Sequence, residues 1–252
     1  MKTLEILILI ATILFVFVLF IKRYVYFRPS RQLQNNMFGF QDVFEGNLHA
    51  WFKPGNDKKV ILFCHGNIGN LSNPSRQTKL NNLNEMGYNV LIFDYNGYGK
   101  SKGIPSETIC FYNANIFMTF LFEKGFSRDN IVPYGENIGA YIATQIAVRY
   151  NLPFLILESP FINIKTYLSS YSPLLKPFGF IFNEFDTKKQ IMSYKGKILL
   201  IHSIHDNTVL FKDISSFVSN SSLNIKLIET TGSHCSFDLI AQKKDIIDFF
   251  KK

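Results

Sequence analysis

The chain has 252 residues, of which 47% are apolar and 15% aromatic. That suits a single packed core near the upper size for one domain and excludes a disordered chain. Its 27 Lys and Arg against 19 Asp and Glu leave a formal charge of +8, but the cations are spread out with no aromatic-interleaved basic run, so they read as a solvated surface and not as a nucleic-acid interface. Cys64, Cys110 and Cys235 are too few and too scattered for a disulfide scaffold, and no Cys-x-x-Cys spacing points to zinc.

From Leu4 to Ile21 the chain is apolar except for Glu5 and Thr12, a run of 18 residues. At 1.5 Å per residue it covers about 27 Å, close to the hydrocarbon thickness of a bilayer. Lys22 and Arg23 follow at once, without the small residues of a cleavage site, and Tyr24, Tyr26 and Phe27 are placed like an interfacial aromatic belt. The expectation is an uncleaved, single-pass anchor over residues 1–24, held by the lipid bilayer, with a juxtamembrane linker over 25–40. Lys22, Arg23, Arg28 and Arg31 lie after the span and only Lys2 before it, which puts the folded domain on the cytoplasmic side. The sequons Asn70-Leu71-Ser72 and Asn220-Ser221-Ser222 would matter only in the opposite orientation.

In the remaining chain, 41–252, Glu45-Gly46-Asn47 between two short extended segments predicts an edge hairpin. Continuous apolar runs at Val60–Cys64, Val90–Phe93, Ile131–Tyr134, Phe154–Leu157 and Ile198–Ile201 are too short for helices and read as buried parallel strands. Helical spacing at Glu107–Phe122, Ile138–Tyr150 and Phe237–Phe250 alternates with them, which predicts an α/β class with a mostly parallel, doubly wound sheet. Residues 161–192, rich in aromatics with Pro173 and Pro177, predict a small cap over the sheet.

In such sheets ligands bind beyond the carboxyl ends of the strands. One strand runs into His65-Gly66-Asn67-Ile68-Gly69-Asn70, where glycines allow a sharp turn and free N–H groups for an oxyanion. A second runs into Asp94-Tyr95-Asn96-Gly97-Tyr98-Gly99-Lys100-Ser101-Lys102-Gly103, followed by Pro105-Ser106-Glu107. A third runs into Gly135-Glu136-Asn137-Ile138-Gly139 and a fourth into Glu158-Ser159-Pro160-Phe161. Beyond the last strand lie His202-Ser203-Ile204-His205-Asp206 and then Gly232-Ser233-His234.

Together, in this order and spacing, these loops resemble the α/β-hydrolase superfamily, close to its membrane-anchored serine hydrolases that include lipid hydrolases and protein depalmitoylases. The resemblance covers about residues 28–252. It implies the α/β-hydrolase fold, acyl-ester or thioester chemistry, Asp206 as the acid, His234 as the base, and an oxyanion loop of His65, Gly66, Asn67 and Ile68 completed by Ile138. It implies no cofactor and no metal. The departure is at the nucleophile, where the Gly-x-Ser-x-Gly elbow carries Asn137. An amide has no deprotonable nucleophile, so covalent acyl-enzyme chemistry is lost, while asparagine tolerates the strained backbone of an elbow. Cys235 is next to His234, but neighbouring side chains in an extended loop point apart, which argues against a replacement thiol.

Two functions follow. The first is a catalytically silent pseudoenzyme that binds an acyl-containing small molecule or a protein partner. The second is an active esterase or lipase-like hydrolase in which Asn137 becomes aspartate or a water is activated by His234. Ile138, branched at the β-carbon, hinders the backbone attack through which asparagine deamidates.

Overall fold

The computed structural model describes residues 2–34, 39–162, 167, 168, 172–174, 182, 185–236 and 238–251. Helix α1, Lys2–Tyr26, carries the apolar run. Leu4, Ile8, Phe15 and Phe20 are each more than half exposed, so most of its length has no protein to bury against. Among the described residues it is the one helix long and apolar enough to cross a membrane.

At its C-terminal end α1 enters the folded domain. Val25, Tyr26 and Phe27 are buried, Tyr26 lying 5.1 Å between ring centroids from Phe185 and 5.9 Å from Phe182. Tyr26 and Phe27, expected as part of an interfacial belt, are therefore core residues of the protein, because aromatic rings gain as much by packing on other rings as in a headgroup layer. The stretch 25–40, expected as a linker, is built into the domain in its described part. Strand β1, Arg28–Pro29, pairs in parallel with β5, Ile68–Gly69, and Ser30 extends the contact by donating to the Gly69 carbonyl.

The main sheet opens with the expected hairpin, β2 (Gln41–Glu45) and β3 (Leu48–Lys53). Then come β4 (Val60–Cys64), α2 (Pro74–Glu85), β6 (Asn89–Phe93), α3 (Glu107–Glu123), β7 (Ile131–Glu136), α4 (Gly139–Tyr150) and β8 (Phe154–Glu158). The chain finishes with α5 (Thr187–Ser193), β9 (Lys197–Ser203), α6 (Phe211–Ser219), β10 (Ile225–Thr230) and α7 (Lys243–Phe249). Strand order is β10-β9-β8-β7-β4-β6-β3-β2, parallel from β10 to β6 and antiparallel through β3 and β2. One core contains Phe117 of α3 and Ile142 and Ile146 of α4; the other contains Leu80 and Leu83 of α2 and Ile246 and Phe249 of α7. Helices thus cover both faces, which is why the central strands are apolar on both sides.

The expected strands are all present, while β1, β5, α2, α5, α6 and β10 are additions. Helix α2 has only two leucines to signal it, and its start rests on the Asn73 side chain accepting from the Ser75 N–H, with Pro74 at the first turn. The helix expected over 237–250 begins only at Lys243, because Leu239–Gln242 form a turn. The cap-like insertion about 161–192 lies mostly outside the described residues; within it Tyr167, Phe182 and Phe185 are buried and α5 begins.

Candidate active site

Strand β7 ends at Glu136 and α4 starts at Gly139, so the chain must reverse within two residues. Asn137 does this with φ 53. The flanking glycines are required by close approach: a Cβ on Gly135 would collide with the Ala140 backbone and one on Gly139 with the Cys64 carbonyl. Asparagine is among the few residue types that accept a left-handed φ at modest cost, so the elbow persists without serine.

Asp206 follows β9, and its Oδ1 accepts from the Thr208 and Val209 N–H groups, each at 2.8 Å. Its Oδ2 is 2.7 Å from His234 Nδ1. His234 Nε2 in turn is 3.0 Å from Asn137 Nδ2. The three residues expected to converge thus form one row above the carboxyl ends of β7, β9 and β10. Burial disfavours the Asp206 carboxylate, but its hydrogen bond to His234, the charge of that ring and the Val209 and Thr208 N–H groups together outweigh this and hold its pKa below the ordinary value.

The other end of the amide completes the picture. Asn137 Oδ1 accepts the Ile138 N–H at 2.8 Å. A backbone N–H can only donate, so the oxygen must face Ile138 and the NH₂ must face the histidine. Nε2 is then the acceptor, and the neutral ring donates from Nδ1 to Asp206. Burial opposes a charge on His234, and the pull toward a cation comes first from a Cys235 thiolate and then from Asp206; because burial raises the Cys235 thiol, that first pull is absent while the thiol keeps its proton. A proton on Nε2 would point at the amide NH₂, so protonation and the Asn137 hydrogen bond exclude one another, and the amide's two-ended bonding sets the resting tautomer.

The expected oxyanion loop divides in two. His65 is fully buried, with its Nδ1 2.7 Å from the Gly66 carbonyl, and the Gly66 N–H donates to Glu136 Oε1 at 3.1 Å. Asn67 and Ile68 instead line a cavity of about 680 Å³ together with Asn137, Thr208 and His234. Ile138 presents the N–H already taken by Asn137. Cys235 adopts φ 51, not the extended conformation expected, so its thiol does not point away but hydrogen-bonds to His234, although it does not line that cavity. His202 Nε2 is 2.9 Å from the Val209 carbonyl, bracing the loop that carries Asp206.

Beneath the row lies a buried charge cluster that motif reading did not single out. Arg76 donates to Glu136 Oε1 at 2.7 and 2.9 Å and to the Ile68 and Asn70 carbonyls at 2.9 and 2.8 Å. Lys79 Nζ lies 2.5 Å from Glu158, 3.3 Å from Glu136 and 2.9 Å from the Cys235 carbonyl. Tyr134 donates to the other Glu158 oxygen at 2.8 Å. One face of α2 therefore ties together the oxyanion loop, the elbow, the end of β8 and the histidine loop. Despite burial, Arg76 and Lys79 hold the Glu136 pKa below the usual carboxylate range, whereas burial raises that of Glu158. The signal for this cluster was the pair of glutamates ending adjacent strands, which nothing local could partner.

A family model described as serine aminopeptidase, S33, matches residues 55–228. Among curated proteins, the lysophosphatidylserine lipase ABHD12 of Gallus gallus is 36% identical over 148 residues, 56% of this chain and 37% of that protein. Its Xenopus tropicalis counterpart is 38% identical over 132 residues, 50% of this chain and 32% of that protein. The chain spans about a third of the length of these relatives. Among solved structures, the esterase Pf2001 of Pyrococcus furiosus superimposes with a TM-score of 0.74 at 21% identity, covering 88% of this chain and 95% of that one. An α/β hydrolase of Vibrio vulnificus gives 0.75 at 18% identity, covering 92% of each. At such identities the likeness to solved structures shows the fold. With the family model spanning β4 to β10 and the strand, elbow and helix arranged as described, the chain belongs to the serine aminopeptidase S33 family of α/β hydrolases.

Proposed function

We propose that this protein is a membrane-anchored α/β hydrolase homologue that is silent as a serine hydrolase and uses its pocket to hold an acyl-containing ligand or a protein partner. In this reading α1 is the anchor, the domain faces the cytoplasm, and Asn137, Asp206 and His234 occupy the nucleophile, acid and base positions. The observation that carries it is the amide of Asn137, bonded at one end to His234 Nε2 and at the other to the Ile138 N–H. The side chain that replaces the nucleophile thereby also occupies the general base and one oxyanion donor. Loss of a triad member leaves ~10³ to 10⁴ over water from the oxyanion hole and binding, and here the hole is itself engaged. The relatives named lysophosphatidylserine lipases support an acyl chain as the ligand's apolar part.

Labelling by a fluorophosphonate tests the reading. The native chain is expected to remain unlabelled and Asn137→Ser to gain labelling, because serine would leave both His234 and the Ile138 N–H available. Esterase turnover by the native chain, abolished in His234→Ala, would overturn it. A second reading, an active hydrolase with a non-standard nucleophile, draws support from the intact Asp206–His234 pair at 2.7 Å. It requires either the acid at position 137 or a water activated by His234; mass spectrometry of the elbow peptide is expected to find the amide, and esterase assay of the native chain to find no turnover that depends on His234.

A further inference from the structure

The cavity above Asn137 has an unusual wall. Ile21, Tyr24 and Val25 line it, and all three belong to the last two turns of α1, the helix suited to cross a bilayer. The cavity therefore begins where the apolar run ends. From Ile21 to Val25 the helix rises about 6 Å, which matches the depth of one headgroup layer, roughly 5–7 Å on each side of the hydrocarbon.

This wall is bonded to the site. The Val25 carbonyl accepts from Asn67 Nδ2 at 3.2 Å, the Arg28 N–H donates to the Asn67 carbonyl at 2.9 Å, and β1 continues from α1 into its pairing with β5. Helix α1 cannot tilt away without carrying Asn67 and Ile68 with it. Around the mouth, Tyr24 is 60%, Ile68 49% and Leu174 80% exposed, and Phe20 below them is 71% exposed. Large apolar side chains clustered at an opening mark a surface that is covered in use. Arg28 also lines the cavity, with Lys22 and Arg23 on the adjoining turn, a placement suited to lipid phosphates.

We infer that the mouth of this cavity is sealed by the bilayer that α1 enters, and that the acyl chain of a membrane amphiphile reaches Asn137 and His234 sideways from the adjoining leaflet, along Ile21, Tyr24 and Val25. The inference rests on the anchor and acyl-ligand readings and is independent of catalytic silence.

Quenching of tryptophan fluorescence by brominated lipid tests it on the full chain in phosphatidylcholine vesicles. The parent has one tryptophan, Trp51, buried in the sheet, which serves as the background signal. Leu174→Trp reports on the mouth, Ile68→Trp does so should the first fold poorly, and Tyr112→Trp on α3 reports on an exposed position outside the cavity. Phosphatidylcholine brominated on its upper acyl carbons is expected to remove more than half of the emission added at 174 or 68 and to leave that at 112, with aqueous iodide giving the reverse. Thr208→Trp, on the cavity wall, is expected to be quenched by a brominated fatty acid added to unbrominated vesicles. Iodide quenching without lipid quenching at 174 and 68, in a chain that resists alkaline carbonate extraction, would overturn the sealed mouth. An unquenched tryptophan at 208 would overturn chain entry. Extraction by carbonate would remove the anchor reading and this inference with it, whereas fluorophosphonate labelling of the native chain bears only on silence.

Discussion

Two polar regions meet at the elbow, and they differ in kind. Below it, Arg76, Lys79, Glu136 and Glu158 are at most 5% exposed in their side chains and every charge has an opposite charge in contact. Above it, Asn137, His234 and Asp206 form a single hydrogen-bonded row whose imidazole is 24% exposed and faces the cavity. The lower cluster fixes where loops sit; the upper row determines what the site can do. Because different side chains carry the two tasks, in the proposed reading one substitution at position 137 removes the nucleophile while the elbow, the acid and the base stay in place. Geometry in this fold is distributed over many residues, whereas a covalent step, as proposed for this site, would depend on one.

The largest effect is expected where that division is broken from below. Lys79→Ala leaves Glu136 and Glu158 sharing a buried space without their common cation, and removal of one partner of a buried pair costs about 3–5 kcal/mol. Urea unfolding checks this; a loss below about 1 kcal/mol would mean that the cluster admits water and behaves as a surface pair. Next is Asn137→Ser, which sharpens the comparison by changing only the upper row. Its fluorophosphonate labelling rate is expected to rise by on the order of 10²-fold over the native chain, about 2.7 kcal/mol of barrier, while urea unfolding changes little, and His234→Ala in the same background should abolish the gain. The smallest is Asp206→Asn, which keeps shape but removes the charge from the hydrogen bond to His234, at about 1.5 kcal/mol of stability.

The same residue gives a pH test. The Asp206 pKa is lower folded than its ordinary value of 3.8, so its contribution is complete above that value and is lost as the pH falls through the lower folded one. Asp206→Asn is expected to flatten that part of the acid limb of stability. Glu158, raised by burial, acts in the opposite sense; its contribution is present at low pH and fades as the pH rises, and it is unchanged in this variant.

Much of the upper row was legible from residue order. Gly-x-Asn-x-Gly at 135–139 announces a turn so tight that a Cβ at either glycine would strike backbone, and Asp206 after a strand-like run, then His234 in a glycine loop beyond it, follow the order the superfamily uses. The lower cluster was not. Arg76 and Lys79 lie 60 and 57 residues from Glu136 in sequence, on a helix whose apolar signal is only Leu80 and Leu83. A cation on such a helix looks solvated until the sheet places two carboxylates under it. The end of α1 is illegible in sequence for a related reason: Tyr26 and Phe27 suit a headgroup layer and a protein core equally well, and only their partners, Phe182 and Phe185, distinguish the two.

The sequence by itself determined the apolar helix, the alternating α/β order, the elbow and the absence of a serine on it, because each depends on periodicity or on residue identity over a few neighbouring positions. Tertiary structure alone decided that the Asn137 amide reaches both His234 and the Ile138 N–H, that Gly66 serves Glu136 instead of the cavity, and that the last turns of α1 wall the site. Those outcomes depend on hydrogen-bond partners brought together from distant strand ends, and a donor's choice between two acceptors is set by distances of a few ångströms that no local pattern encodes.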